Sequence, residues 1–151
     1  YMGVINIVKD IKLVHPKDIA LIEIGKFYYA YGRDAYIISY LFKYKLVMVE
    51  QYNIYNVAFP KSSLPKVIAE LENKKINYML IDRRNNYYVQ EKSDNKNLNS
   101  YDKFFEKAKK YINLKKRINN ISNYLLQNIN NPDITEKLKK METIINEGRK
   151  I

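Results

Sequence analysis

The chain has no cysteine and no tryptophan, a single histidine, and only four glycines and four prolines in 151 residues. Without cysteine there are no disulfides and no thiolate to serve as nucleophile or metal ligand, a composition that suits a reducing cytoplasm, so a cytoplasmic location is expected. His15 has neither a second histidine nor a cysteine to complete a zinc set, and no metal is expected. Neither Gly-x-x-x-x-Gly-Lys-Ser/Thr nor Gly-x-Gly-x-x-Gly occurs, and so few glycines leave no room for one. No cofactor is therefore expected. No run of about 18 apolar residues is present, and no basic segment followed by an apolar one opens the chain. Neither a membrane span nor a secretory signal is expected.

What the chain has in excess is positive charge: 27 Lys and Arg against 16 Asp and Glu, a formal net charge of +11. Such a balance favours polyanionic partners, nucleic acid first and DNA before RNA, then an anionic membrane surface or an acidic protein. An AT-rich genome is the other account, because it raises Lys, Asn, Ile and Tyr together, and all four are abundant. With 46% apolar residues, there is material for one core of ordinary size.

The stretch from Ala20 to Asp34 organises the rest. An apolar run, Ile19 to Ile24, reaches Gly25, passes through Phe27, Tyr28, Tyr29 and Tyr31, and meets Gly32 before a helical pattern begins. Glycine tolerates positive φ cheaply, so each of these two marks a reversal. Between them lies a projection of aromatic rings with one cation, Lys26. The alternation of Phe27, Tyr29 and Tyr31 also fits a half-buried strand whose rings are packing material.

Upstream, Gly3 to Val8 reads as a strand or as the start of a helix running toward Val14, with Ile7, Ile11 and Val14 at helical spacing and Pro16 as the stop. Downstream, Arg33 to Lys45 has a helical period, with Asp34 near its positive end. Leu46 to Glu50 and Ile54 to Phe59 read as a hairpin through Gln51-Tyr52-Asn53. Ser62 and Ser63 precede a helix with Pro65 in its first turn, ending near Asn73-Lys74-Lys75. Ile76 to Asp82 and Tyr87 to Glu91 are strands about an Asn85-Asn86 turn. The order predicts an α+β fold with a mixed or largely antiparallel sheet and flanking helices over residues 1–92.

Ser93 to Ser100 is polar and reads as a linker, residues 93–100. Beyond it, Phe104, Ala108, Tyr111, Ile118, Ile121 and Leu125 recur mostly by threes and fours, and Ile134, Leu138, Met141 and Ile145 resume the pattern after Asn130-Asn131-Pro132-Asp133. A C-terminal α-helical hairpin over residues 101–151 is expected. It can cover the sheet, self-associate into a homodimer, or dock another protein, with Leu138, Met141 and Ile145 as the expected interface. From residue 98 onward there are twelve Lys or Arg against six Asp or Glu. Lys109, Lys110, Lys116 and Arg117 could form a basic stripe, either a solvated face or a phosphate contact.

The segment Gly25-Lys26-Phe27-Tyr28-Tyr29-Ala30-Tyr31-Gly32-Arg33-Asp34-Ala35 resembles the N-terminal mismatch-recognition domain, domain I, of the MutS family, in which a Gly-acid-Phe-Tyr-Glu-x-(Phe/Tyr)-x-x-Asp-Ala segment is expected. The resemblance takes in His15-Pro16 and Val57-Ala58-Phe59-Pro60, the helix from Leu64 and the strand to Asp82, about residues 10 to 90. It implies a stand-alone domain I with a helical extension that has no counterpart in the family domain. The length leaves no room for the family's ATPase, clamp and lever modules. It also implies that Phe27 corresponds to the phenylalanine that wedges into the duplex and stacks on a mispaired base. The base-bonding glutamate is replaced by Tyr29, and the acid before the phenylalanine by Lys26. Mismatch reading is thereby put in doubt, while general contact with nucleic acid is favoured.

We therefore expect a non-enzymatic nucleic-acid-binding module using Lys26, Phe27, Tyr28, Tyr29 and Lys61, with Lys109, Lys110, Lys116 and Arg117 as further phosphate contacts. The expected protein partner is a larger DNA-processing enzyme, such as a polymerase or reverse transcriptase. A protein-interaction module built on the helical hairpin is the alternative. A remote third reading is a metal-dependent nuclease, from Asp82 followed by Gln90-Glu91-Lys92, with Glu70 or Glu72 as a further ligand.

Overall fold

The computed structural model describes residues 3–94 and 99–149, so residues 95–98 of the expected linker lie outside the described residues. Two compact units divide between Ile112 and Asn113.

The first unit is a six-stranded mixed sheet with helices on both sides. Its chain order is α1 (Val4–Val14), β1 (Ile19–Ile24), β2 (Phe27–Tyr31), α2 (Arg33–Phe42), β3 (Val47–Val49), β4 (Ile54–Pro60), α3 (Leu64–Asn73), β5 (Tyr78–Asp82) and β6 (Tyr88–Lys92). The opening of α4 (Asn99–Gln127) completes it. The β-branched start of the chain is helical from Val4, with Ile5 and Val8 buried at helical spacing. Helix α2 stops at Lys43, which adopts a left-handed conformation (φ 62°), so Lys43 to Lys45 do not continue it.

The strands lie in the order β3-β4-β2-β1-β5-β6, and every neighbouring pair is antiparallel except β1 with β5. Alternation sorts the strand residues onto two faces. Ile19, Leu21, Tyr28, Ala30, Val57, Phe59, Tyr78 and Leu80 face α2, α3 and the start of α4, and form the larger core with Ile37, Ile38, Val67, Leu71, Tyr101 and Phe104. Ala20, Ile22, Tyr31, Met79 and Ile81 face α1 and form a smaller core with Ile5 and Val8.

Asp34 joins the parts of this unit. It is fully buried in the first turn of α2, where its Oδ1 accepts hydrogen bonds from Lys12 Nζ of α1 at 2.9 Å and from the Tyr101 hydroxyl of α4 at 2.5 Å. Its Oδ2 accepts the Ala20 N–H of β1 at 3.0 Å. Burial pushes its carboxyl above the usual range, opposed by Lys12, Tyr101 and the Ala20 amide. A buried charge is tolerable only when paired and hydrogen-bonded, and this one ties three elements to the head of a fourth. The first turns of α4 thus belong to the core: Tyr101 is 1% exposed and Ala108 fully buried.

The second unit holds the rest of α4 and α5 (Asp133–Arg149). The turn between them is closed by Asn131, whose N–H donates to Asn128 O at 2.9 Å and whose Oδ1 accepts the Asp133 N–H at 3.0 Å. Ile121, Tyr124, Leu125 and Met141 line a groove of about 440 Å³ between these helices. Lys137 Nζ donates to the Tyr124 hydroxyl across it at 2.9 Å. Among the described residues no helix is long and apolar enough to cross a membrane.

Candidate nucleic-acid interface

A two-residue hairpin, Gly25-Lys26, joins β1 to β2, with Ile24 opposite Phe27. Gly25 has φ +61° and Lys26 has an ordinary negative φ, the pattern of a type II′ turn, which takes glycine at its first position. Nothing lies within 4 Å of where a Gly25 side chain would start, so the backbone conformation alone calls for glycine. This turn carries Lys26 and Phe27 to the end of the sheet.

The register fixes what stands beside them. Phe27 pairs with Pro60 of β4, and the Lys61 N–H donates to Lys26 O at 3.0 Å, which brings the two lysines to one edge. On the other side, parallel pairing sets Glu23 against Asp82, and the Arg83 N–H donates to Glu23 O at 3.3 Å. Arg83 and Arg84 therefore join the same end of the sheet, both exposed. Lys61 Nζ lies 3.2 Å from Glu23 Oε2.

Alternation puts Phe27, Tyr29 and Tyr31 on the α1 face. Phe27 is 43% exposed, Tyr29 half-buried and Tyr31 buried, so the row grades from solvent into the smaller core. Tyr29 and Tyr31 stack with ring centroids 6.4 Å apart and planes at 19°. Burial, with Tyr29 and Tyr87 nearby, pushes the Tyr31 hydroxyl up to about 12 against the opposing pull of Arg83. Ala58, opposite Tyr29 on β4, is exposed. The result is a shallow apolar platform with an exposed ring at its rim and cations around it, suited to stacking a planar base beside phosphates.

Tyr28 is not part of that platform. The pleat turns it to the opposite face, where it is 3% exposed, stacks on Phe59 at 5.9 Å and donates its hydroxyl to Glu23 Oε1 at 3.1 Å. Burial and this carboxylate push its hydroxyl up to about 12. The expectation that Tyr28 contacts nucleic acid is corrected by its place in the core.

The remaining expected contacts lie on the C-terminal helices. Lys109 and Lys110 are exposed on α4, with Lys109 Nζ 3.0 Å from Glu106 Oε1. Lys116 and Arg117 are exposed in the second unit, as are Leu138 and Ile145, while Met141 lines its groove. The nuclease constellation looks different in space. The Asp82 carboxylate accepts the Arg84 N–H at 2.9 Å, and among the described residues no three His, Cys, Asp or Glu side chains gather to hold a metal. His15 caps the end of α1 with its Nδ1 3.5 Å from Asp18 Oδ2.

Arg83 and Arg84 were outside the expected site. An Arg-Arg pair at a strand end is visible in the sequence, but only the parallel pairing of β5 with β1 brings it to the hairpin.

The family model described as MutS domain I matches residues 2–99. The chain belongs to the MutS domain I family. The match runs through all six strands and ends where α4 begins, so both C-terminal helices lie almost wholly beyond it. A search of curated proteins finds no match to the chain. Domain I is a DNA-recognition domain rather than a catalytic one in its family.

Proposed function

We propose that this MutS domain I binds nucleic acid without catalysing a reaction, stacking a base on Phe27 with Tyr29 behind it, while Lys26 and Arg84 meet phosphates; Lys61 is held by Glu23. The observation that carries the reading is the Phe27 ring, left open on a face that the sheet's carboxylates do not share: Glu23 pairs with Tyr28 on the other side. Tyr29 offers a ring and a hydroxyl where the family expects a glutamate, so the ligand is an unpaired or distorted base with little reading of base identity. The domain serves a larger DNA-processing enzyme in a reducing cytoplasm.

Binding of labelled duplex, mismatched and single-stranded oligonucleotides tests it. Affinity should fall steeply with salt, and Phe27→Ala should weaken binding by about 1–3 kcal/mol while leaving the melting temperature unchanged. Absence of binding to every one of these ligands at low salt overturns the reading.

A second reading, assembly through the helical hairpin, is favoured by the groove of the second unit and by the exposure of Leu138 and Ile145. Light scattering should then show a concentration-dependent mass that Leu138→Asp abolishes. A mass fixed at one chain across the range would count against it.

A further inference from the structure

On the covered side of the sheet, the ends of α2 and α3 meet the opening turns of α4 around an open cleft of about 650 Å³. Lys43, Lys74, Lys75, Lys103 and Lys107 line it, against the one carboxylate of Glu70. Two of these lysines have work inside the fold. Lys43 Nζ donates to Tyr40 O at 2.8 Å, and Lys74 Nζ lies 3.6 Å from Glu70 Oε1. Both stand at helix C-termini, where the exposed carbonyls favour a cation.

That account does not extend to Lys103 and Lys107, which lie in the second and third turns of α4, away from any helix C-terminus that would favour a cation. Among the described residues, Lys75, Lys103 and Lys107 have no carboxylate within ion-pair distance. The ammonium groups of Lys107, Lys103 and Lys74 lie 5.2, 5.6 and 5.9 Å from the centre of the Phe104 ring. Three ammonium groups thus lie about one buried ring with the single carboxylate of Glu70 beside one of them, an excess of positive charge that an entering anion would offset.

We propose that this cleft is a second binding site, for a ligand carrying several phosphates in succession, supplied either by the backbone of a nucleic-acid strand or by a free polyphosphate chain such as that of a nucleoside triphosphate. A single phosphate would neutralise too little of the excess charge, whereas a row of them matches both the spread of the ammonium groups and the size of the cleft. The site lies across the sheet from Phe27 and owes nothing to base stacking, so it stands or falls apart from the platform.

The test uses the full chain carrying Phe27→Ala, which removes the stacking contribution. Titration with tripolyphosphate, with inorganic phosphate and with a short single-stranded oligonucleotide should show tripolyphosphate or oligonucleotide binding at least about tenfold tighter than inorganic phosphate. Tighter oligonucleotide binding assigns the site to a backbone, and tighter tripolyphosphate binding to a free polyphosphate. Lys103→Gln/Lys107→Gln should weaken the preferred ligand about tenfold, and for the oligonucleotide should flatten the log–log salt slope by about 1.4, at 0.7 per lost phosphate contact. Lys103→Arg/Lys107→Arg should keep both. Both positions are exposed, so matching thermal melts establish that the variants are folded. Binding of neither tripolyphosphate nor oligonucleotide tighter than inorganic phosphate, or an unchanged affinity in the double Gln variant, overturns the proposal.

Discussion

The two faces of the sheet are built from the same strands and put to different uses. On one, α2, α3 and the head of α4 bury Ile19, Leu21, Tyr28, Ala30, Val57, Tyr78 and Leu80, and Phe59 is wholly buried. On the other, α1 covers the β1 and β5 positions, while Ala58, the neighbour of Phe59 in sequence, stands open beside a half-buried Tyr29. Burial of apolar area supplies most of the stability of a fold. A face left partly open forgoes some of it and keeps a surface that can bind. The difference teaches that packing is concentrated on one side of the sheet and open surface on the other, so substitutions on the two faces should differ in their cost to stability.

The strongest way to break that comparison is to remove the covered face's charge. Asp34→Ala should cost about 3–5 kcal/mol in denaturant unfolding, because it strands Lys12 and the Tyr101 hydroxyl in the interior. A loss under about 1 kcal/mol would mean that the carboxylate is dispensable to the packing around it. Adjacent positions on β4 sharpen the contrast. Phe59→Ala should also cost about 3–5 kcal/mol through the cavity it leaves, whereas Ala58→Ser should stay within about 0.5 kcal/mol. Comparable losses at the two would show that the second face is as tightly packed as the first.

A smaller effect is expected where β2 turns into α2. Gly32 has φ +59° and ψ −127°, a region closed to side chains, and its N–H donates to Tyr55 O at 2.8 Å. Gly32→Ala should cost about 1–3 kcal/mol from backbone strain alone, since the added atom would sit an ordinary 3.5 Å from the Ile54 side chain.

The mildest probe is alkali. Burial raises the hydroxyls of Tyr28, Tyr31 and Tyr78 from 10.0 to about 12, and that of Tyr101 further, so between those values the native state holds protons that the unfolded chain releases. Unfolding free energy should therefore be steady below pH 10 and fall as pH rises toward 12. Tyr78→Phe should flatten that fall. An unchanged slope would mean that this ring is not sealed in the native state.

The strands, four of the five helices and the hairpins were legible because their signals are local. Glycines at 25 and 32 mark reversals, and alternation marks the strands between them. The start of α1 was ambiguous because Val4, Ile5, Ile7 and Val8 are β-branched and suit either state. Alternation along β2 separates Tyr28 from Phe27 and Tyr29, so the strand period itself places Tyr28 on the core side. The positions of Arg83 and Tyr101 had no such signal. Each depends on pairing across a long stretch of chain, β5 with β1 in one case and α4 with Asp34 in the other, which spacing does not encode.

The hydrogen bond from Tyr101 to Asp34 has a consequence for where this protein can be cut. Kinship with the family fades at residue 99, yet the carboxylate at the centre of the fold takes one of its donors two residues later. A fragment trimmed to the boundary of ancestry would lose that donor along with the rings of Tyr101 and Phe104, opening the interior to water. A piece that keeps this interior closed therefore extends at least through Ala108, beyond the end of the family match.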